Sequence, residues 1–212
     1  MRAAAGDCFV QVGLLYGPLC TCEDYIRAFH AALMTVGDAV YCAASIDTIT
    51  RLAAEGIPVI SHVGLIPSKA TWTGGFKAVG KLTQSAMAVF NHVKQREAAG
   101  AIGAELAVVP DRVAAEISKR TSLIMLSMGA GSGTDAQYLF AEDVLGYTRG
   151  QQPRDAKVYR NFGAEYDRLQ QERIAAFKEF GADVRSCAYP EPKHCVAIAD
   201  DEFNAFMKNL PA

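Results

Sequence analysis

The strongest constraint on how this chain can fold is its alternation of short β-branched runs with longer amphipathic windows. Strand-like runs fall at Cys8 to Leu15, Ala39 to Ala43, Pro58 to Val63, Ala104 to Val109, Leu123 to Met128 and Gln137 to Ala141. Helical windows lie between them, at about Glu23 to Val36, Ile46 to Glu55, Thr83 to Ala99 and Asp111 to Arg120, and a longer one runs from Lys157 to Phe180. This is the pattern of βα units rather than of a sandwich or a bundle. Gly56-Ile-Pro58 closes one helix and opens a strand, Gly100 closes another, and Pro110-Asp111 supplies a stop and a cap. Each strand-to-strand connection is long enough for a crossover, so the sheet is expected to be parallel.

Six strands suit an open doubly wound sheet, whereas a closed barrel of parallel strands uses eight. The first strand is followed by Leu15-Tyr-Gly-Pro-Leu19, not by the glycine-rich turn of a dinucleotide fold. Gly129-Ala-Gly131-Ser-Gly133 follows a later strand and reads either as a tight turn or as a backbone nest for an anion.

With 212 residues, half of them hydrophobic, the chain can bury one sizeable core, and a single domain is expected over residues 1–212. Residues 1–150 hold the βα units and 151–212 the C-terminal helices and tail. A net charge of -2, with its basic and acidic residues interspersed, gives no footprint for nucleic acid or an anionic membrane. No apolar run approaches the about 20 residues of a bilayer span and the N-terminus lacks a signal-peptide core, so a cytoplasmic protein acting on a small molecule is expected. Cys8, Cys20, Cys22, Cys42, Cys187 and Cys195 lack paired CxxC spacing and read as buried free thiols.

Gly56-Ile-Pro-Val-Ile-Ser-His62-Val-Gly-Leu-Ile-Pro67-Ser and the following Gly74-Gly-Phe-Lys77-Ala-Val-Gly80-Lys81 resemble two signature blocks of the ketopantoate hydroxymethyltransferase family. Ser127-Met-Gly-Ala-Gly131 with Asp135-Ala-Gln137, Glu142-Asp-Val-Leu-Gly146 and Tyr189-Pro-Glu-Pro-Lys-His194 resemble later ones. The resemblance implies an α/β fold, a (β/α) TIM-type barrel that is incomplete at the N-terminus, with about six of its eight βα units, and extra C-terminal helices packed outside the barrel. It further implies transfer of a one-carbon unit from methylenetetrahydrofolate to 3-methyl-2-oxobutanoate or a related 2-oxo acid, through an enolate stabilised by magnesium, in a homo-oligomer.

Taken position by position, the family's site is largely replaced. Its second metal aspartate falls on Tyr16, its substrate lysine and metal-linked glutamate on Tyr41 and Ala43, and its catalytic glutamate on Ala107. A phenol cannot replace a carboxylate as a magnesium ligand at neutral pH, so no metal ligands are assigned. Glu105 lies two residues from Ala107 along a strand, hence on the same face, and reads either as a substitute base or as a carboxylate paired within the barrel. His62 keeps the matching position at a strand's C-terminal end and is assigned to substrate, with Tyr41 and Tyr16 beside it. His30, His92 and His194 read as surface, packing or contact residues. Lys69 and Lys77 flank the site loop near an anionic folate tail or solvent, and Trp72 is either a lid or a loop anchor. The alternative to an active enzyme is a non-catalytic or truncated paralogue that keeps scaffold and oligomer contacts.

Overall fold

A computed structural model describes residues 2–13, 19–35 and 37–211. The chain divides into two compact units, residues 1–144 with 151–157, and residues 145–150 with 158–212.

The first unit starts with helix α1 (Arg2–Ala5) and strand β1 (Gln11–Gly13). Strands and helices then alternate as α2 (Cys22–Thr35), β2 (Ala39–Tyr41), α3 (Ile46–Ala54), β3 (Val59–Gly64), α4 (Thr83–Ala98), β4 (Gly103–Ala107), α5 (Asp111–Ser118) and β5 (Ile124–Met128). Strand β6 (Ala136–Gln137) and helix α6 (Ala141–Leu145) follow. The six strands form one parallel sheet in the order β1-β2-β3-β4-β5-β6. Spatial order that follows chain order, with no reversal, belongs to a TIM-type barrel and not to a doubly wound sheet. Among the described residues the barrel is incomplete: β1 and β6 are the two edges. No helix among them is long and apolar enough to cross a membrane.

Local chemistry accounts for the boundaries. Ser45 caps α3 by accepting from the Thr48 N–H at 3.1 Å, Asp47 lies in the first turn, and Gly56 at φ +73° ends the turn beyond the helix. At α5 the cap position is Pro110 and Asp111 is the first helical residue, its carboxylate accepting from the Arg112 N–H at 2.8 Å. β4 ends where Val108 takes φ +52°, a costly conformation for a β-branched residue, of about 1–3 kcal/mol. It is held there by Val108 N–H to Met128 O (2.8 Å) and Val79 N–H to Val108 O (3.0 Å).

The alternation of side chains across each strand places the apolar core on the outer face of the sheet. Val40, Val59, Val63, Leu106 and Met125 meet Phe29, Ile49, Leu52, Val89, Val93 and Ile117 from the helices, all buried. Each such side chain contributes about 1.5–3 kcal/mol, so the outer layer carries the stability and leaves the inner face available for polar groups.

Three expected elements shift. The last strand, expected at Gln137 to Ala141, is Ala136–Gln137, because α6 begins at Ala141 with Glu142 and Asp143 in its favoured acidic first turn. The first strand is Gln11–Gly13; the rest of its expected range toward Leu15 lies outside the described residues. The long helix runs not from Lys157 to Phe180 but over Phe162–Ser186. Only Asn161 offers a cap, accepting from the Ala164 N–H at 3.2 Å, and Gly181 weakens a helix without stopping it.

That helix, α7 (Phe162–Ser186), belongs to the second unit with a 3₁₀ turn at Pro192–His194 and α8 (Asp200–Lys208). Gly146 is obligatory there, since a Cβ would sit 1.9 Å from the Arg160 carbonyl oxygen.

The cysteines correct the sequence reading. All are free and only Cys42 is buried; Cys8, Cys20, Cys187 and Cys195 are exposed and Cys22 is half-buried. Cys42 follows β2 into the core layer, whereas the exposed four sit in connecting segments or at the end of α7.

Candidate functional site

The residues that alternate away from the core point into the concave face. They include Tyr41 on β2, Ile60 and His62 on β3, Glu105 and Ala107 on β4, and Leu126 and Met128 on β5. All of these but Ala107 line a cavity of about 670 Å³ whose polar groups come from Gln11, Tyr41, His62, Glu105 and Tyr138, set in a mostly apolar wall.

His62 and Glu105 are register partners across β3 and β4, and both are buried, at 2% and 4% exposure. His62 Nδ1 lies 2.9 Å from the Tyr41 hydroxyl and 3.3 Å from Glu105 Oε2. The other carboxylate oxygen, Oε1, accepts from Gln11 Nε2 at 2.7 Å. His62 Nε2 lies 2.9 Å from the Leu65 carbonyl oxygen. A carbonyl only accepts, so Nε2 carries a hydrogen and Nδ1 is the exchangeable position.

The turn after β3 explains why this histidine is so placed. Gly64 takes φ +83°, and a Cβ there would lie 2.2 Å from the Ala107 carbonyl oxygen, which accepts from the Leu65 N–H at 2.9 Å. The glycine lets the chain fold tightly enough for Leu65 O to reach back to the His62 ring. From the outer side, the buried Arg96 on α4 donates through Nε to the His62 carbonyl at 3.1 Å.

Two groups, the Tyr41 hydroxyl and Glu105 Oε2, therefore converge on Nδ1. With His62 neutral, the Tyr41 hydroxyl donates to Nδ1; with His62 charged, Nδ1 donates to Glu105. Burial, and after it the Glu105 carboxylate, raise the Tyr41 phenol well above its ordinary value, so it stays a proton donor at neutral pH. The same two causes raise Tyr138. A carboxylate, an imidazole and a protonated phenol on one wall of an apolar cavity are the parts of a general acid/base centre.

Of the residues assigned to the site from sequence, Glu105, His62 and Tyr41 come together, and Tyr16 lies outside the described residues. Glu105 and Ala107 share a face, with Glu105 one layer nearer the strand's N-terminal end. Gln11 and Tyr138 were not anticipated. The signal for Gln11 was one polar residue between Val10 and Val12 in an apolar run; Tyr138 carried none, because nothing local brings it opposite Glu105.

The surrounding loop is plainer. Trp72 is 89% exposed and does not anchor it, Lys77 is exposed, and half-buried Lys69 donates to the Ala43 carbonyl at 3.1 Å. His30, His92 and His194 lie on the surface. At Gly129, Gly131 and Gly133 a Cβ would come within 3.0, 2.5 and 2.5 Å of Asp155, Asp111 and Ala115 side-chain atoms, so close packing accounts for these glycines.

Magnesium does not fit this donor set. It prefers several hard oxygens in octahedral geometry. Here one carboxylate is present with both oxygens engaged, its neighbours are a protonated phenol and an imidazole, and Ala43 and Ala107 offer no side-chain donor. Among the described residues no group of three or more His, Cys, Asp and Glu could hold a metal ion.

Comparison with known proteins places this sequence in a family. The family model for ketopantoate hydroxymethyltransferase matches residues 21–192. The 3-methyl-2-oxobutanoate hydroxymethyltransferase of Geobacillus thermodenitrificans is 33% identical over 76% of this chain and 55% of its own length. Those of Bacillus licheniformis and Enterococcus faecalis are 36% and 35% identical, over 76% and 73% of this chain and 54% of theirs. A deoxyribose phosphate aldolase from Aeropyrum pernix is a remote structural likeness, with TM-score 0.40 and 12% identity over 57% of this chain and 50% of that one. The chain spans about half the length of the curated relatives it matches. By sequence along most of its length, it belongs to the ketopantoate hydroxymethyltransferase family.

Proposed function

We propose that this chain acts on a small 2-oxo acid, 3-methyl-2-oxobutanoate or a close relative, and adds to it a one-carbon unit from methylenetetrahydrofolate. Family membership supports the reaction class, and the observation that carries the reading is the Tyr41–His62–Glu105 cluster on the cavity wall, with His62 and Glu105 buried. The carbon next to the keto group must lose a proton to become a nucleophile, and Glu105 is the carboxylate available to take it. Tyr41 faces the oxygen on which charge develops, with His62 behind it. The apolar wall excludes water, which strengthens each of these interactions.

Incubation of the protein with 3-methyl-2-oxobutanoate and methylenetetrahydrofolate, followed by mass spectrometry, tests the reading. A hydroxymethylated 2-oxo acid above the protein-free background supports it. No product with any branched 2-oxo acid overturns it.

The same reading includes a homo-oligomer. In its support, α7 exposes Phe162, Tyr166, Leu169, Phe177, Phe180 and Val184 in pairs at equal distances on either side of Arg173. Such a stripe is complementary to itself when a second copy is turned about a two-fold axis.

A further inference from the structure

In enolate chemistry a divalent cation has two tasks: it takes up charge as the keto oxygen becomes an enolate, and it offsets a neighbouring substrate carboxylate. The concave face of this chain holds groups suited to the first task, and Lys69, past the C-terminal end of β2, is the cation available for the second. Tyr41 is a half-buried phenol that stays protonated beside a carboxylate, and so keeps a hydrogen to donate to an oxygen acquiring charge. Lys69 donates to the carbonyl of Ala43, two residues beyond Tyr41 and past the end of β2. Its ammonium has three hydrogens, and Ala43 takes one.

We propose that Tyr41, His62 and Glu105, with Lys69 at the end of β2, enolise a 2-oxo acid without a divalent metal. The proposal rests on the 2-oxo acid reading given above. Glu105 takes the proton from C3; the C–H electron pair becomes the C2=C3 bond, and the carbonyl π pair moves to oxygen. Tyr41, its hydroxyl turned from His62 Nδ1 to the bound substrate, gives its proton to that oxygen. The proton on Glu105 then returns to the phenolate through His62 Nδ1, which lies 3.3 Å from the carboxylate and 2.9 Å from the phenol oxygen. The sum is one keto–enol tautomerisation that consumes nothing. Gln11 is a positioning residue: it holds Oε1 and turns Oε2 toward His62. Lys69 binds the carboxylate that a metal chelate would otherwise hold.

The test is deuterium exchange at C3 of 3-methyl-2-oxobutanoate, followed by proton NMR with the whole protein, in excess EDTA and again in millimolar magnesium. The two rates are expected to agree within about twofold, a difference too small to represent a lost electrostatic catalyst. Tyr41→Phe is expected to slow exchange in EDTA by about 100-fold with its melting temperature little changed, and Lys69→Met to raise KM by about tenfold with kcat nearly unaffected. Exchange that requires magnesium overturns the proposal and leaves the 2-oxo acid reading standing; no exchange in either buffer overturns both. A second measurement does not depend on any variant folding. Manganese added to protein and 2-oxo acid is expected to keep the electron paramagnetic resonance signal of the ion with the acid alone. Loss of that signal on adding protein reports a bound cation and overturns the proposal.

Discussion

Gln11 Nε2 donates to Glu105 Oε1 at 2.7 Å although their strands, β1 and β4, are separated by β2 and β3. In a flat sheet three strand spacings separate them by about 14 Å, so the contact exists only because the sheet curls. One hydrogen bond thus reports the curvature and also fixes the carboxylate. Replacing Gln11 by Leu leaves Oε1 without its donor, at a cost of about 1–2 kcal/mol, toward the low end because Gln11 is only partly buried. Urea denaturation measures the loss, and C3 exchange is expected to fall with it as Glu105 turns away from His62.

Gly64→Ala is expected to be among the most damaging small substitutions in the chain. Its Cβ would meet the Ala107 carbonyl at 2.2 Å in a backbone conformation that disfavours side chains, for a combined cost of about 2–5 kcal/mol. Denaturant melts measure the cost, and surviving folded protein is expected to lose the His62 to Leu65 contact, visible as a changed His62 ring signal in NMR.

Ser61→Ala is expected to stabilise. The Ser61 hydroxyl is buried on the core side of β3 with no hydrogen-bond partner. Removing an unpaired buried hydroxyl is worth about 1 kcal/mol, a rise of about 2–4 °C in melting temperature for a chain of this size. A lower melting temperature would show that the hydroxyl is satisfied.

Stability against acid should depend on Glu97. Lys94, and then the Ser122 N–H and hydroxyl, hold its carboxyl at about 2 rather than the ordinary 4.5. A carboxyl depressed in the folded state contributes stability above the unfolded value, and loses it as pH falls from about 4.5 through about 2. The group is partly exposed, so solvent screening limits the contribution to about 1 kcal/mol. Glu97→Gln is therefore expected to be less stable than the wild type by that amount near neutral pH, with the difference shrinking below about pH 4.5 and vanishing below about pH 2.

If α7 pairs with a second copy, the pairing brings Arg173 against its own symmetry mate, where like charges repel. Arg173→Leu is expected to tighten association by about tenfold and Leu169→Asp to abolish it, both measured by sedimentation velocity.

Much of this fold was legible in the residues because its signals are local. Period, Gly56, Gly100 and Pro110-Asp111 fixed most elements to within a residue or two. Helix α7 slipped because the favourable composition before Asn161 carried no cap. The site was only half legible. Glu105, His62 and Tyr41 stood out as chemistry-bearing residues on adjacent strands, but Gln11 joins them only through curvature, which no short stretch of sequence encodes. The cysteines misled for the converse reason: a thiol's neighbours along the chain say little about whether another element covers it.

The account turns on Glu105 as the base. Its most direct test compares C3 deuterium exchange of 3-methyl-2-oxobutanoate by the wild type and by Glu105→Gln, which preserves shape and the bond from Gln11. The wild type is expected to exchange well above the buffer rate, and the variant at least about 100-fold more slowly while unfolding within about 1 kcal/mol of the wild type. Exchange by the variant at the wild-type rate, or none by the wild type, would contradict the account.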